Sequence, residues 1–181
     1  FYEDNGKKYM FWGSFRGIYA TELTDNGLEI KKKTDGTPVL KKRICGNRFE
    51  GTNIYKRGEY YYLFASIGTC CNGATSTYQT VVGRSKNVLG PYLDKTGRDM
   101  LYDYCEIIMS GNETWAGPGH NSILIQDDVG TDWIIYHGYK KKEAENGRYV
   151  LMDKLIWSND GWPSVKSNAP SILEVAPYFQ K

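Results

Sequence analysis

"IYKRGEYYYLFASI", residues Ile54 to Ile67, is an apolar strand end, a polar turn carrying glycine, and an aromatic-rich strand that closes on small residues. That pattern is a β-hairpin. It also opens the chain in "FYEDNGKKYMFWGS" (Phe1 to Ser14) and returns in "LIQDDVGTDWIIYHGY" (Leu124 to Tyr139). A third strand follows each hairpin: "GIYATEL" (Gly17 to Leu23), "QTVVGRS" (Gln79 to Ser85) and "YVLMDKLIWS" (Tyr149 to Ser158). Turn-like segments come next, "DNGLEI", "NVLGPYL" and "NDGWPSV", each predicted to lead into a short edge strand.

Four-stranded antiparallel units recurring at irregular spacing predict an all-β chain made of β-propeller blades. Blade-like units fall at about 1–45, 46–115 and 116–175. Three blades do not close a ring, because propellers hold about four to eight. The expectation is a partial propeller domain over 1–181 whose N-terminal blades are missing. A β-sandwich would also give short strands with regular turns. The matching third strands of the three units favour the propeller.

Composition narrows the function classes. A net charge of +2 and 40% hydrophobic residues are those of an ordered globular chain. The short basic runs, Lys31 to Lys33 and Lys140 to Lys142, are not interleaved with stacking aromatics, so no nucleic-acid partner is expected. No apolar stretch approaches the ~20 residues of a membrane span. Tyr 15, Trp 5 and Phe 6 suit strand-rich cores and sugar-stacking surfaces alike. The four cysteines, Cys45, Cys70, Cys71 and Cys105, lack zinc-site spacing. Adjacent Cys70 and Cys71 are not expected to bond to each other, which predicts buried free thiols and at most one disulfide.

Three places carry candidate chemistry. Glu50 is a carboxylate where "NRFEGTNIY" turns into a buried strand; alternation puts Arg48, Glu50 and Thr52 on one side and Phe49 and Asn53 on the other. Pairing with Arg48 would be the structural alternative, and it would lower a pKa that a general acid needs raised. His120 sits in "AGPGHNS", at a point that matches Glu50 in the next unit, so both are predicted to face one channel. The loop between Ile67 and Tyr78 is long and crowded with small polar groups, as functional loops on rigid scaffolds are. Arg84, near the end of the following strand, is either an inward ligand for a carboxylate or hydroxyls or a surface arginine. His137 reads as core or as support for the site, and Trp157 and Trp162 as packing.

"NRFEGTNIY", "YYYLFASIGTCCNGATSTYQTVVGRSKNVLGPY", "GPGHNSILIQDDVGTDWIIYHGY" and "GRYVLMDKLIWSNDGWP" together resemble glycoside hydrolase family 43, and within it the endo-arabinanases. "FWGSFRGI" is similar to the "GSFWGGI" type of segment in these enzymes. The resemblance implies a five-bladed β-propeller, of which this chain supplies about three blades, and inverting hydrolysis of α-1,5-linked arabinan. Glu50 then matches the general acid. The general base and a pKa-tuning aspartate have no match in this chain, and Asp4, in a hairpin turn, is not assigned to either role. The isolated chain is therefore expected to be inactive without the missing N-terminal half.

His120 matches a family histidine that reaches a structural ion, usually Ca²⁺. Ser14, Phe15, Cys71, Asn72, Thr77 and Arg84 match substrate-binding segments. The implied partner is plant cell-wall arabinan, and the implied location is extracellular or periplasmic. Exo-acting α-L-arabinofuranosidase or β-xylosidase activity on the same fold, and a non-catalytic carbohydrate-binding propeller, are the alternatives.

Overall fold

A computed structural model describes residues 1–180, which are all-β; their helical pieces are short 3-10 turns. β1 (Tyr2–Asp4) and β2 (Lys7–Trp12) are joined by Asn5 and Gly6, with φ of 49° and 76°. Positive φ at both central residues is what a type I′ turn requires, and that turn matches the twist of the strands it joins. β3 (Ile18–Glu22) and β4 (Lys42–Cys45) complete an antiparallel sheet of order β1-β2-β3-β4.

The second hairpin is β5 (Glu50–Arg57) and β6 (Tyr60–Ile67), turning at Gly58 (φ 57°) and Glu59. With β7 (Gln79–Ser85) and β8 (Glu106–Met109) it forms a sheet of order β5-β6-β7-β8. The third sheet has β9 (Trp115–Gly119), β10 (Ile125–Gln126), β11 (Asp132–Lys140) and β12 (Arg148–Lys154). β12 pairs along β11 from Trp133 to Tyr139, while β9 and β10 share the opposite edge of β11. β13 (Ile156–Trp157) and β14 (Pro163–Ser164) form a separate two-stranded ribbon.

The three hairpins and their third strands match the sequence reading. The edge strands do not. "DNGLEI" and "NVLGPYL" make isolated bridges, Leu23 to Ile30 and Arg84 to Leu93, and the fourth strands come later, as β4 and β8. In the third sheet "NDGWPSV" folds back on Ile156 and Trp157 instead of lining β12. Turn residues announce a reversal, but only packing selects the strand that the returning chain joins.

The chain divides into two compact units. One comprises Phe1–Leu63 and Gly83–Glu106, the other Phe64–Val82 and Ile107–Lys181. Ile18, Ala20, Phe49, Leu63, Tyr92 and Met100 are fully buried in the first. Phe64, Tyr78, Val81, Val82, Met109 and Ile134 are fully buried in the second. Each such large side chain contributes about 1.5–3 kcal/mol by leaving water. Polar tips of several aromatics find partners, while Trp115 Nε1, buried in the second unit, has none among the described residues. In the first unit Tyr92 donates to the Val88 carbonyl at 2.6 Å and Tyr61 to Asp4 at 2.5 Å. In the second, Trp133 donates to Asp127 at 3.0 Å, Trp157 to Asp132 at 2.7 Å, and Tyr136 to Asp153. Trp162 is buried as expected, and Asp4 is held in its hairpin by Tyr61 with Lys56 3.7 Å away.

Candidate functional site

Glu50 is the first residue of β5, half-buried, and its Oε2 accepts a hydrogen bond from the Ser14 hydroxyl at 2.7 Å. The Phe15 N–H donates to the Phe49 carbonyl at 3.0 Å. The loop between β2 and β3 is thus docked on the start of β5 by two adjacent bonds. It needs glycine to do so: a Cβ on Gly13 (φ 137°) would lie 2.0 Å from the Gly17 carbonyl oxygen. Phe15 itself has φ 49° and is 41% exposed, so a bulky apolar ring is held out beside Glu50 on strained backbone.

Arg48 does not behave as the alternative reading supposes. Its guanidinium donates to the Asp103 carbonyl at 3.2 Å, and its N–H to Asp103 Oδ1 at 3.2 Å. Gly51, with φ 63°, breaks the strand alternation directly after Glu50, so simple parity does not govern which way the carboxyl faces.

In the second unit His120 follows the end of β9, in the gap before β10, with φ 53° and an exposed side chain. Glu50 opens a strand and His120 lies in the break of one, so the two are not at equivalent points as the sequence suggested. The His120 N–H donates to Ser66 Oγ at 2.8 Å, and Nδ1 lies 3.4 Å from the Tyr78 hydroxyl. His137 stacks on both rings, 5.9 Å from the Tyr78 ring at 12° and 6.1 Å from the His120 ring at 26°. The glycine in "GPGH" is required because a Cβ on Gly119 would meet Tyr78 Cδ1 at 2.4 Å. Ser66 and Tyr78 were not singled out from sequence. Their only signal is that each ends or precedes a strand beside the polar loop.

The resemblance implies an ion at His120. Among the described residues no group of three or more His, Cys, Asp or Glu side chains could hold a metal. Against this imidazole stand a phenol and a second imidazole, with a serine hydroxyl on the backbone N–H, and not the carboxylates that calcium prefers. That donor set does not fit a calcium cage, and the chemistry proposed below uses none.

Residues 68–78 form the polar loop, with a 3-10 turn at Gly73–Thr75. Thr77 closes its neck: Oγ1 accepts from the Thr69 N–H at 3.1 Å and lies 2.9 Å from Thr69 Oγ1. Asn72 and Cys71 are exposed at its tip. Contrary to expectation, Cys70 and Cys71 are joined in a disulfide, and the free thiols are the buried Cys45 and the half-buried Cys105. Thr77 is thus a loop-closing residue, while Asn72 and Cys71 present their side chains outward.

Arg84 is not brought to Glu50. Its guanidinium lies over the Tyr60 ring, 4.5 Å from the centroid, at the turn end of the β5–β6 hairpin. Glu50 stands at the other end of β5, whose eight residues span about 23 Å at ~3.3 Å per residue. Antiparallel pairing alternates strand ends, so a residue late in β7 belongs with the turn and not with the start of β5.

The sequence pattern of "Glycosyl hydrolases family 43" matches residues 1–163. The chain is 36% identical over 173 residues to the extracellular exo-alpha-(1->5)-L-arabinofuranosidase ArbA of Cellvibrio japonicus, covering 90% of this chain and 49% of that protein. It is 35% identical over 165 residues to the extracellular endo-alpha-(1->5)-L-arabinanase 1 of Bacillus subtilis, covering 90% and 48%. Among solved structures, the Cellvibrio cellulosa alpha-L-arabinanase complexed with arabinohexaose superposes with a TM-score of 0.76 at 34% identity, covering 92% of this chain and 55% of that one. The GH43 endo-arabinanase from Bacillus licheniformis gives 0.73 at 32% identity, covering 90% and 53%. The chain spans about half the length of the curated relatives it matches. The matched pattern and the fold thus agree, and the chain belongs to glycosyl hydrolase family 43.

Proposed function

We propose that this protein hydrolyses α-1,5-linked arabinan with inversion, and that Glu50 is its general acid. The observation that carries the reading is the Glu50 carboxyl, fixed at the first residue of β5 and oriented by Ser14 Oγ at 2.7 Å. An inverting glycosidase needs one carboxyl to protonate the leaving oxygen and a second to take a proton from water attacking the anomeric carbon from the opposite face. Those carboxyls stand ~6.5–9.5 Å apart to leave room for the water. Glu50 gives its proton to the glycosidic oxygen as that bond breaks. The second carboxylate is assigned to residues outside this chain, within a five-bladed propeller of which these sheets are about three blades.

Phe15 and Ser14 would line the sugar beside Glu50, and Asn72 and Cys71 are assigned to substrate contacts from the polar loop. Two relatives are named extracellular, which supports action outside the cytoplasm on plant cell-wall arabinan. No helix among the described residues is long and apolar enough to cross a membrane.

A second reading is exo-action, favoured because one relative is named an exo-arabinofuranosidase and another an endo-arabinanase at nearly equal identity. The test is product analysis on debranched linear arabinan with the intact protein and its Glu50→Gln variant. Short arabino-oligosaccharides from the parent, lost by about 10²–10⁴-fold in the variant, are expected. Release of one product from the chain end alone would select exo-action. Arabinan left intact by the parent, or full activity in the variant, would overturn the assignment.

A further inference from the structure

We propose that Tyr102, with Tyr104 beside it, forms a further sugar-binding subsite that grips a distal part of the arabinan chain cut at Glu50. The inference rests on the arabinan reading above and adds to it a place where only long substrates are held. Both tyrosines belong to the first compact unit, at the end of the 3-10 turn Met100–Tyr102 and just after it. They are 71% and 43% exposed.

A single exposed aromatic needs no explanation. These two, however, sit on a loop that is tied to the approach to Glu50. Asp103, the residue between them, accepts from the Arg48 N–H through Oδ1 and from the Arg48 guanidinium through its carbonyl, both at 3.2 Å. The Gly46 N–H donates to the Met100 carbonyl at 2.9 Å, and a Cβ on Gly46 would lie 2.1 Å from Asp103 Oδ1. Arg48 is two residues before Glu50, at most about 7 Å of chain. Phe15 reaches the same segment from the loop after β2, through the Phe49 carbonyl at 3.0 Å. Exposed aromatics from two loops are thus fastened to residues 46–50, which makes the tyrosine patch continuous with the candidate acid.

The chemistry of the patch suits a neutral sugar. Arg48 stands beside Asp103, and Arg98 pairs with Asp94 at 2.8 Å, so cations and anions are matched and nothing draws a charged ligand. The Arg98 guanidinium already covers Tyr104, 4.4 Å from its centroid. Among the described residues the Tyr102 phenol makes no hydrogen bond, ion pair or ring contact. Its face can take the C–H side of a furanose ring, while its hydroxyl and the neighbouring polar groups meet the sugar hydroxyls.

Steady-state kinetics of the intact protein on arabinohexaose and arabinotriose tests this. Tyr102→Ala should raise KM for the hexasaccharide about three- to tenfold at the parent's kcat, because a distal contact serves ground state and transition state alike. The shift should be much smaller on the trisaccharide, which occupies only the sites next to Glu50. Tyr102→Phe keeps the ring and should restore most of the affinity for the hexasaccharide. A KM unchanged by Tyr102→Ala on both lengths, or raised equally on both, would overturn the subsite and leave the arabinan reading standing. No turnover of either length by the parent would overturn that reading and the subsite with it.

Discussion

The Ser14 hydroxyl donates to Glu50 Oε2 across 36 residues of sequence, joining the loop after β2 to the first residue of β5. The next residue on each side adds a main-chain bond, Phe15 N–H to the Phe49 carbonyl, and Phe49 is fully buried. The candidate acid is therefore oriented by an exposed loop residue, and that loop is anchored by a main-chain bond next to the buried Phe49.

Ser14→Ala removes one hydrogen bond to a carboxyl and leaves the backbone bond of Phe15 in place. A bond of this kind is worth about 1.5–3 kcal/mol when one partner is charged, which predicts a fall in kcat of roughly ten- to a hundredfold with little change in KM. Steady-state kinetics on linear arabinan would show it. A change confined to KM would mean that Ser14 serves substrate binding instead.

Gly13→Ala should unseat the same loop. Its Cβ would collide with a backbone carbonyl that cannot swing aside, whereas Gly36, also at positive φ, has open space around it. Gly36→Ala is expected to cost about 1 kcal/mol in urea unfolding, and Gly13→Ala clearly more, with activity lost in parallel. Equal costs for the two would show that the Gly13 to Gly17 contact is unimportant.

The thiols should be nearly inert in the native protein. Burial pushes the Cys45 thiol well above its ordinary value, and burial likewise pushes Cys105 up to about 11. Thiolate, the reactive form, is then scarce near neutral pH. Titration with a chromogenic disulfide should find no fast-reacting thiol until denaturant is added. Mild reduction of the native protein should release two exchangeable thiols, from Cys70 and Cys71. Rapid labelling without reduction would contradict the pairing.

Asp94 should make stability depend on acid. Burial works against its ionisation, but hydrogen bonds from Arg98 and Thr96 outweigh this and hold the carboxyl below its ordinary value of 3.8. A depressed folded-state pKa contributes stability above the unfolded value and loses it as pH falls through the folded one. Asp94→Asn should lower Tm by several degrees at neutral pH, and the gap to the parent should close as pH is taken below the ordinary aspartate range. Thermal melts across that range would check it; a gap independent of pH would assign the effect to packing.

Much of the fold was legible because hairpins are local. Asn5-Gly6 and the glycine at 58 specify turns within four residues, and aromatic runs such as Tyr60 to Phe64 announce the strands they feed. Edge strands were misplaced because the loop before β4 and the loop before β8 carry turn residues of their own, and nothing local says which reversal leads to pairing. Ser14, Phe15 and Glu50 come from the family-like motifs, and the structure brings them together. Arg84 came from a motif too, yet it supports the Tyr60 end of the sheet.

Sequence alone determined the all-β character, the three hairpins and the lineage, since these rest on period-two patterning, on turn residues that accept positive φ, and on contiguous motifs. Only the tertiary structure decided that Ser14 meets Glu50, that Ser66 holds His120, that Cys70 pairs with its neighbour, and that Arg84 faces away from the acid. The first two join residues 36 and 54 positions apart, and the last depends on the direction in which successive strands run. Such relationships are set by strand order and side-chain packing, which no window of local propensity contains.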